Sequence, residues 1–93
     1  MTQVGLESVL RLAPGCRLNE HGAGQDLLLI PEGALRMQGP ARKIVELLNG
    51  ERTVQTIVED LQHRYGSEDA ARIETETIAL LTRLRDRGAL ESV

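Results

Sequence analysis

The hydrophobic period of the chain changes once, near Met37, and that switch constrains the fold more than any other feature. Over residues 16–37 apolar residues come in short runs separated by turn formers. Cys16-Arg17-Leu18-Asn19 alternates, His21-Gly22-Ala23-Gly24 breaks, residues 26–30 are apolar and suit a strand, and Pro31-Glu32-Gly33 breaks again. The pattern predicts three short antiparallel strands at residues 16–19, 26–30 and 34–37. Pro31 presets φ for the first corner of a tight turn, and Gly33 can take the left-handed conformation that folds 34–37 back on 27–30.

Beyond Met37 the period is helical. Gly39-Pro40 opens a first helix of about ten residues with Ala41, Ile44, Val45 and Leu48 on one side, and Asn49-Gly50 stops it. Thr53 caps a second helix in which Val54, Ile57, Val58, Leu61 and Tyr65 recur at intervals of three and four, ending at Gly66. Ser67 caps a third and longest helix. Glu68 and Asp69 stand in its first turn and Arg83, Arg85 and Arg87 in its last, the charge order that the helix dipole favours, and Gly88 closes it. Its apolar residues are too widely spread for one stripe: Ile73, Leu80, Leu81 and Leu84 make one face, while Ile78, Leu81 and Arg85 begin a second that can stay open to a ligand.

The sum is an α+β domain, a three-stranded antiparallel sheet followed by a three-helix bundle, resembling a winged helix-turn-helix. At 93 residues the chain holds one core, so residues 1–93 are expected to form a single domain. Residues 1–14 carry Val4, Leu6, Val9, Leu10 and Leu12 without a clean period, and are left unassigned as a candidate flexible segment. With no Trp or Phe and Tyr65 as the only aromatic, the core must be aliphatic, and stacking of bases on aromatic rings is essentially unavailable.

Catalytic constellations are missing. His21 and His63 have no second ligand at metal spacing, and Cys16 is the only cysteine, so neither an internal disulfide nor a thiolate cage can form. Carboxylate pairs such as Glu59-Asp60 and Glu68-Asp69 fall on predicted solvated or capping positions, where nothing raises a pKa for acid catalysis. The glycines at 22 and 24 lack the Lys and following helix of a phosphate cradle. The expectation is a binding module that is not an enzyme and needs no cofactor or metal. The net charge of −3 supplies no field for a polyanion, and the longest apolar run, residues 27–30, is far shorter than a bilayer span of roughly 20 residues. No basic region followed by an apolar stretch opens the chain, so neither nucleic acid nor membrane is an expected partner and a cytoplasmic location is.

A family resemblance narrows this further. Leu12-Ala13-Pro14-Gly15-Cys16-Arg17-Leu18, then Leu27-Leu28-Leu29-Ile30-Pro31-Glu32-Gly33-Ala34-Leu35, then residues 44–50 (IVELLNG) with Arg52-Thr53-Val54 and Ile57, resemble the PqqD family of pyrroloquinoline quinone biosynthesis. The Leu-Leu-x-Pro-Glu-Gly element at residues 28–33 is the most specific part, and Leu84-Arg85-Asp86-Arg87-Gly88-Ala89-Leu90 agrees with it. The chain reads Gln38-Gly39-Pro40 where members tend to have Asn and then Thr or Ser, and Leu48-Asn49-Gly50 where they have Cys-Asp-Gly; both changes keep the caps.

The resemblance implies a peptide chaperone, a RiPP recognition element. Its partners would be the precursor peptide PqqA and the radical SAM enzyme PqqE, which joins a Glu and a Tyr side chain of that peptide. It further implies that the peptide adds as a strand to the sheet edge and rests against the third helix. The residues give this mode a physical reason: strand 34–37 is followed by no other strand, so its outward N–H and C=O groups are open to pairing. The candidate peptide-binding residues are Leu35, Arg36 and Met37 on the edge with Ile78, Leu81 and Arg85 on the helix, Arg85 facing an acidic side chain. An open edge also predicts a homodimer, by edge pairing or by exchange of an N-terminal segment through hinges at 22–24 or 38–39. The competing reading is a winged-helix transcriptional regulator, which needs a basic recognition helix; early in the third helix only Arg72 is basic.

Overall fold

The computed structural model describes residues 3–19, 26–37, 40–66 and 68–93. The elements run β1 (Leu10–Leu12), β2 (Arg17–Leu18), β3 (Leu27–Ile30), β4 (Gly33–Arg36), α1 (Ala41–Glu46), α2 (Val54–Tyr65), α3 (Ala70–Asp86) and β5 (Leu90–Ser92). The α+β reading holds. The three expected strands form one antiparallel sheet in the order β2-β3-β4, each displaced by no more than a residue at its ends.

Registers of Leu28 with Leu35 and Ile30 with Gly33 set the apolar side chains of β3 and β4 on one face, where Leu28 and Ile30 are buried. Gly33 closes the Pro31-Glu32 turn at φ +150°, a positive φ that favours glycine, as its place in the turn predicts. Arg42 of α1 clamps the sheet to the helices. Its Nη1 donates to Asn19 Oδ1 (2.8 Å) and Asp26 Oδ1 (3.2 Å), and its Nη2 to the Asn19 carbonyl (2.7 Å). The same Asn19 Oδ1 accepts the Leu27 N–H, so one guanidinium fixes both strands of the β2-β3 hairpin.

Residues 3–12, whose period gave no assignment, are built into the fold. β1 pairs antiparallel with β5, Leu10 opposite Ser92 and Leu12 opposite Leu90, in a second sheet of two strands. The reason for the illegible period lies in α2. The Ser8 and Leu6 carbonyls accept the N–H groups of Val54 and Gln55, two of the donors that the first turn of a helix leaves without partners. Thr53 Oγ1 accepts a third, from Thr56, as its cap position predicts. Val4 is buried and its N–H donates to Thr82 Oγ1 of α3. This segment follows the ends and faces of helices, so neither strand nor helix period governs it.

The helices differ from expectation at their ends. α1 spans six residues, not ten, because Leu47 and Leu48 donate to Ile44 and Val45 and tighten the last turn before Asn49. Asn49 Oδ1 then accepts from Glu51 and Arg52 N–H, with Gly50 at φ +77°. α3 starts at Ala70, so Glu68 and Asp69 precede its first turn, and the proposed cap Ser67 lies outside the described residues. Tyr65, placed on the apolar face of α2, is 59% exposed. The core joins Leu28 and Ile30 to Ile44, Val45, Val54, Ile57, Val58, Leu61, Leu81 and Leu84, all aliphatic as the composition requires.

Candidate peptide-binding groove

Among the described residues β4 has β3 on one side and no strand on the other. Met37 N–H donates to the Asp26 carbonyl at 2.8 Å, and pairing alternates along an antiparallel ladder, so Gly33, Leu35 and Met37 bond inward. The N–H and C=O groups of Ala34 and Arg36 therefore point outward from the edge. The other edges are less open. β2 is two residues long, and the outer edge of β1 is occupied by Gly50 N–H on the Leu10 carbonyl and a bridge from Val9 to Thr53.

A groove runs between the β4 edge and α3. One stretch of about 350 Å³ is lined by Leu35, Arg36, Met37, Arg83, Leu84 and Arg87. It continues through Arg36 and Arg83 into a second of about 440 Å³ against Pro40, Ala41, Ile44, Glu76 and Leu80. Each is large enough for the side chains of an extended peptide.

The predicted edge residues Leu35, Arg36 and Met37 all line this groove, Met37 from beneath at 4% exposure. The helix residues are corrected. Leu81 is 0% exposed and packs in the core, so it offers no surface to a ligand. Ile78 and Arg85 lie on the opposite side of α3, since at about 100° per residue Ile78 is some 200° from Leu80 and Arg85 some 200° from Arg83. Ile78 packs against the core beside Thr82, which holds Val4, and Arg85 Nη2 lies 3.1 Å from Asp86 Oδ1. The stripe that faces β4 is Glu76, Leu80, Arg83 and Arg87. Its signal is present in the sequence as an i, i+4, i+7, i+11 series, hidden because the three terminal arginines read as one dipole-capping group.

Among the described residues, three arginines without side-chain partners line the groove, and Arg17 on β2 is another outside it. Arg11, Arg42, Arg64, Arg72 and Arg85 each pair with a carboxylate. Among the described residues no hydrogen bond or ion pair engages the side chain of Arg36, Arg83 or Arg87. Cys16, half-buried beside β2, has its thiol pushed above the usual range by burial and by the nearby Glu32 carboxylate, which disfavours the nucleophilic thiolate. Among the described residues no cluster of His, Cys, Asp and Glu is placed to hold a metal ion.

Comparison with known proteins agrees with the fold. The family model for coenzyme PQQ synthesis protein D matches residues 27–90, more than half of the chain. A PqqA binding protein of Rhizobium meliloti is 41% identical over 59 residues, 62% of this chain and 60% of that protein. One from Stutzerimonas stutzeri is 33% identical, covering 87% of each chain. The chain thus spans less than two thirds of the Rhizobium relative but most of the Stutzerimonas one. Among solved structures, the PqqD truncation of Methylobacterium extorquens PqqCD superposes with a TM-score of 0.78 at 29% identity, over 95% of this chain and 94% of that one. That structure is described as a functional, stand-alone RiPP recognition element. The matched span and the shared fold agree, and the chain belongs to the PqqD family.

Proposed function

We propose that this chain is a peptide chaperone of pyrroloquinoline quinone biosynthesis, binding the precursor peptide PqqA as an added strand on β4. The observation that carries the reading is the open edge at Ala34 and Arg36 beside a groove floored by Leu35, Met37 and Leu84. An extended peptide satisfies those outward backbone groups, and alternate side chains enter the groove against α3. The relatives named as PqqA binding proteins support the choice of peptide.

A strand bound this way keeps its own far edge and half of its side chains free. That leaves the peptide accessible to the radical SAM enzyme PqqE, to which the chain would present it in the cytoplasm. No described helix is long and apolar enough to cross a membrane. Pairing of two β4 edges in a homodimer would occupy the same backbone groups, so dimer and peptide complex compete.

Ala34→Pro tests the reading. Its N–H faces away from β3, so proline removes a donor to the peptide and sets its ring in the path of the added strand, while the β3-β4 ladder survives. Calorimetric titration with synthetic PqqA should show at least a tenfold loss of affinity, about 1.4 kcal/mol, with an unchanged circular dichroism spectrum. Unaltered affinity would place the peptide elsewhere.

A further inference from the structure

We infer that the groove selects peptide segments carrying carboxylates two residues apart, read by Arg83 and Arg87 with Arg36 closing the opposite wall. The inference rests on the peptide-binding reading above and adds a charge requirement to it. Three observations carry it. The chain has a net charge of −3, yet among the described residues the β4 end of the groove is lined by three arginines and by no carboxylate. Those three are unpaired among the described residues, while five other arginines have satisfied their charge internally. The one carboxylate farther along the groove, Glu76, is paired with Arg72 at 3.0 Å.

The spacing gives the selectivity. Arg83 and Arg87 are one helical turn apart, about 6 Å along α3. Side chains at i and i+2 of an extended strand project from the same face about 6.6 Å apart. A peptide lying along the groove therefore brings two alternate carboxylates against two guanidinium groups at once. One turn before Arg83, Leu80 at 9% exposure gives the groove wall an apolar patch. From Glu76 to Arg87 the stripe covers about 16 Å, room for about five residues of strand. Arginine suits this task because its planar fork binds a carboxylate through paired N–H donors, and the peptide itself excludes water from the contact.

The test compares the full chain with its Arg83→Gln/Arg87→Gln and Arg85→Gln variants, using synthetic PqqA and a counterpart with Asn and Gln replacing every Asp and Glu. On the wild-type chain the neutral peptide should bind at least about tenfold more weakly at low salt. The double variant should lose a similar factor for the natural peptide, lose little more for the neutral one, and show a flatter dependence on salt. Arg85→Gln, on the far side of α3, should stay within about twofold, and amide spectra check that each variant is folded. Equal binding of the natural peptide by wild type and double variant overturns the charge requirement while leaving strand addition standing. No binding by wild type overturns both.

Discussion

Replacing Arg42 by Ala should loosen the contact on which the position of β4 depends. The guanidinium donates to Asn19 Oδ1 at 2.8 Å, the Asn19 carbonyl at 2.7 Å, Asp26 Oδ1 at 3.2 Å and Glu46 Oε2 at 3.3 Å, with only 11% of the side chain exposed. Asp26 and Glu46 are 43% and 36% exposed, so solvent screens those ion pairs to about 0.5 kcal/mol each. The two bonds to Asn19 carry more, because a hydrogen bond from a charged donor contributes roughly 1.5–3 kcal/mol before the cost of burying the guanidinium is set against it. A net loss of about 2 kcal/mol follows. For a domain of this size that lowers the melting temperature by about 8–16 °C. Thermal and urea unfolding followed by circular dichroism would measure it, with Asp26→Asn as a comparison expected to cost no more than about 0.5 kcal/mol. Because the lost bonds hold the β2-β3 hairpin on α1, peptide affinity should fall as well. A melting temperature within about 2 °C of wild type, or a larger loss for Asp26→Asn than for Arg42→Ala, would refute the argument.

Other consequences are accessible to the same methods. Leu81→Ala should cost about 3 kcal/mol, because the side chain is wholly buried among the helices, whereas Arg85→Ala should leave both stability and peptide affinity nearly unchanged. Equal effects of the two would restore Leu81 and Arg85 to one binding face. Cys16 should alkylate slowly at neutral pH, with the midpoint of its rate profile above that of an unperturbed thiol. Glu32→Gln should lower that midpoint without abolishing the shift, since burial is its larger cause. A wild-type midpoint at the ordinary thiol value contradicts this.

How much of the fold was legible depended on how local its causes are. The β3-β4 hairpin and the buried face of α2 follow from residues within a few positions of each other: Pro31 and Gly33 set the turn, and Val54, Ile57, Val58 and Leu61 recur at helical spacing. β1 and β5 have no such signal. Each is three residues long, and Leu12 finds Leu90 across nearly the whole chain, a pairing made by tertiary structure alone. Residues 4–8 were illegible for a related reason, since the Leu6 and Ser8 carbonyls serve the first turn of α2 rather than a regular element of their own.

The candidate site was half legible. The open edge at 34–37 follows from strand order, but the helix face depends on the rotation of α3, which spacing within the helix cannot supply. Spacing alone puts Ile78 and Arg85, with Leu81, on a second face of the helix. The packing of Val4 on Thr82 turns that side inward and leaves Glu76, Leu80, Arg83 and Arg87 toward β4.

The most direct test of the account is a titration of the isotope-labelled chain with synthetic PqqA, read as backbone amide shifts and contacts between peptide and protein. Strand addition on β4 predicts the largest changes at Ala34 and Arg36, whose N–H groups gain partners, with further shifts at Leu80, Arg83 and Arg87 and direct contacts between the peptide backbone and β4. Largest changes at Arg17 and Leu18 of the opposite edge, or at Ile78 and Arg85, would contradict it.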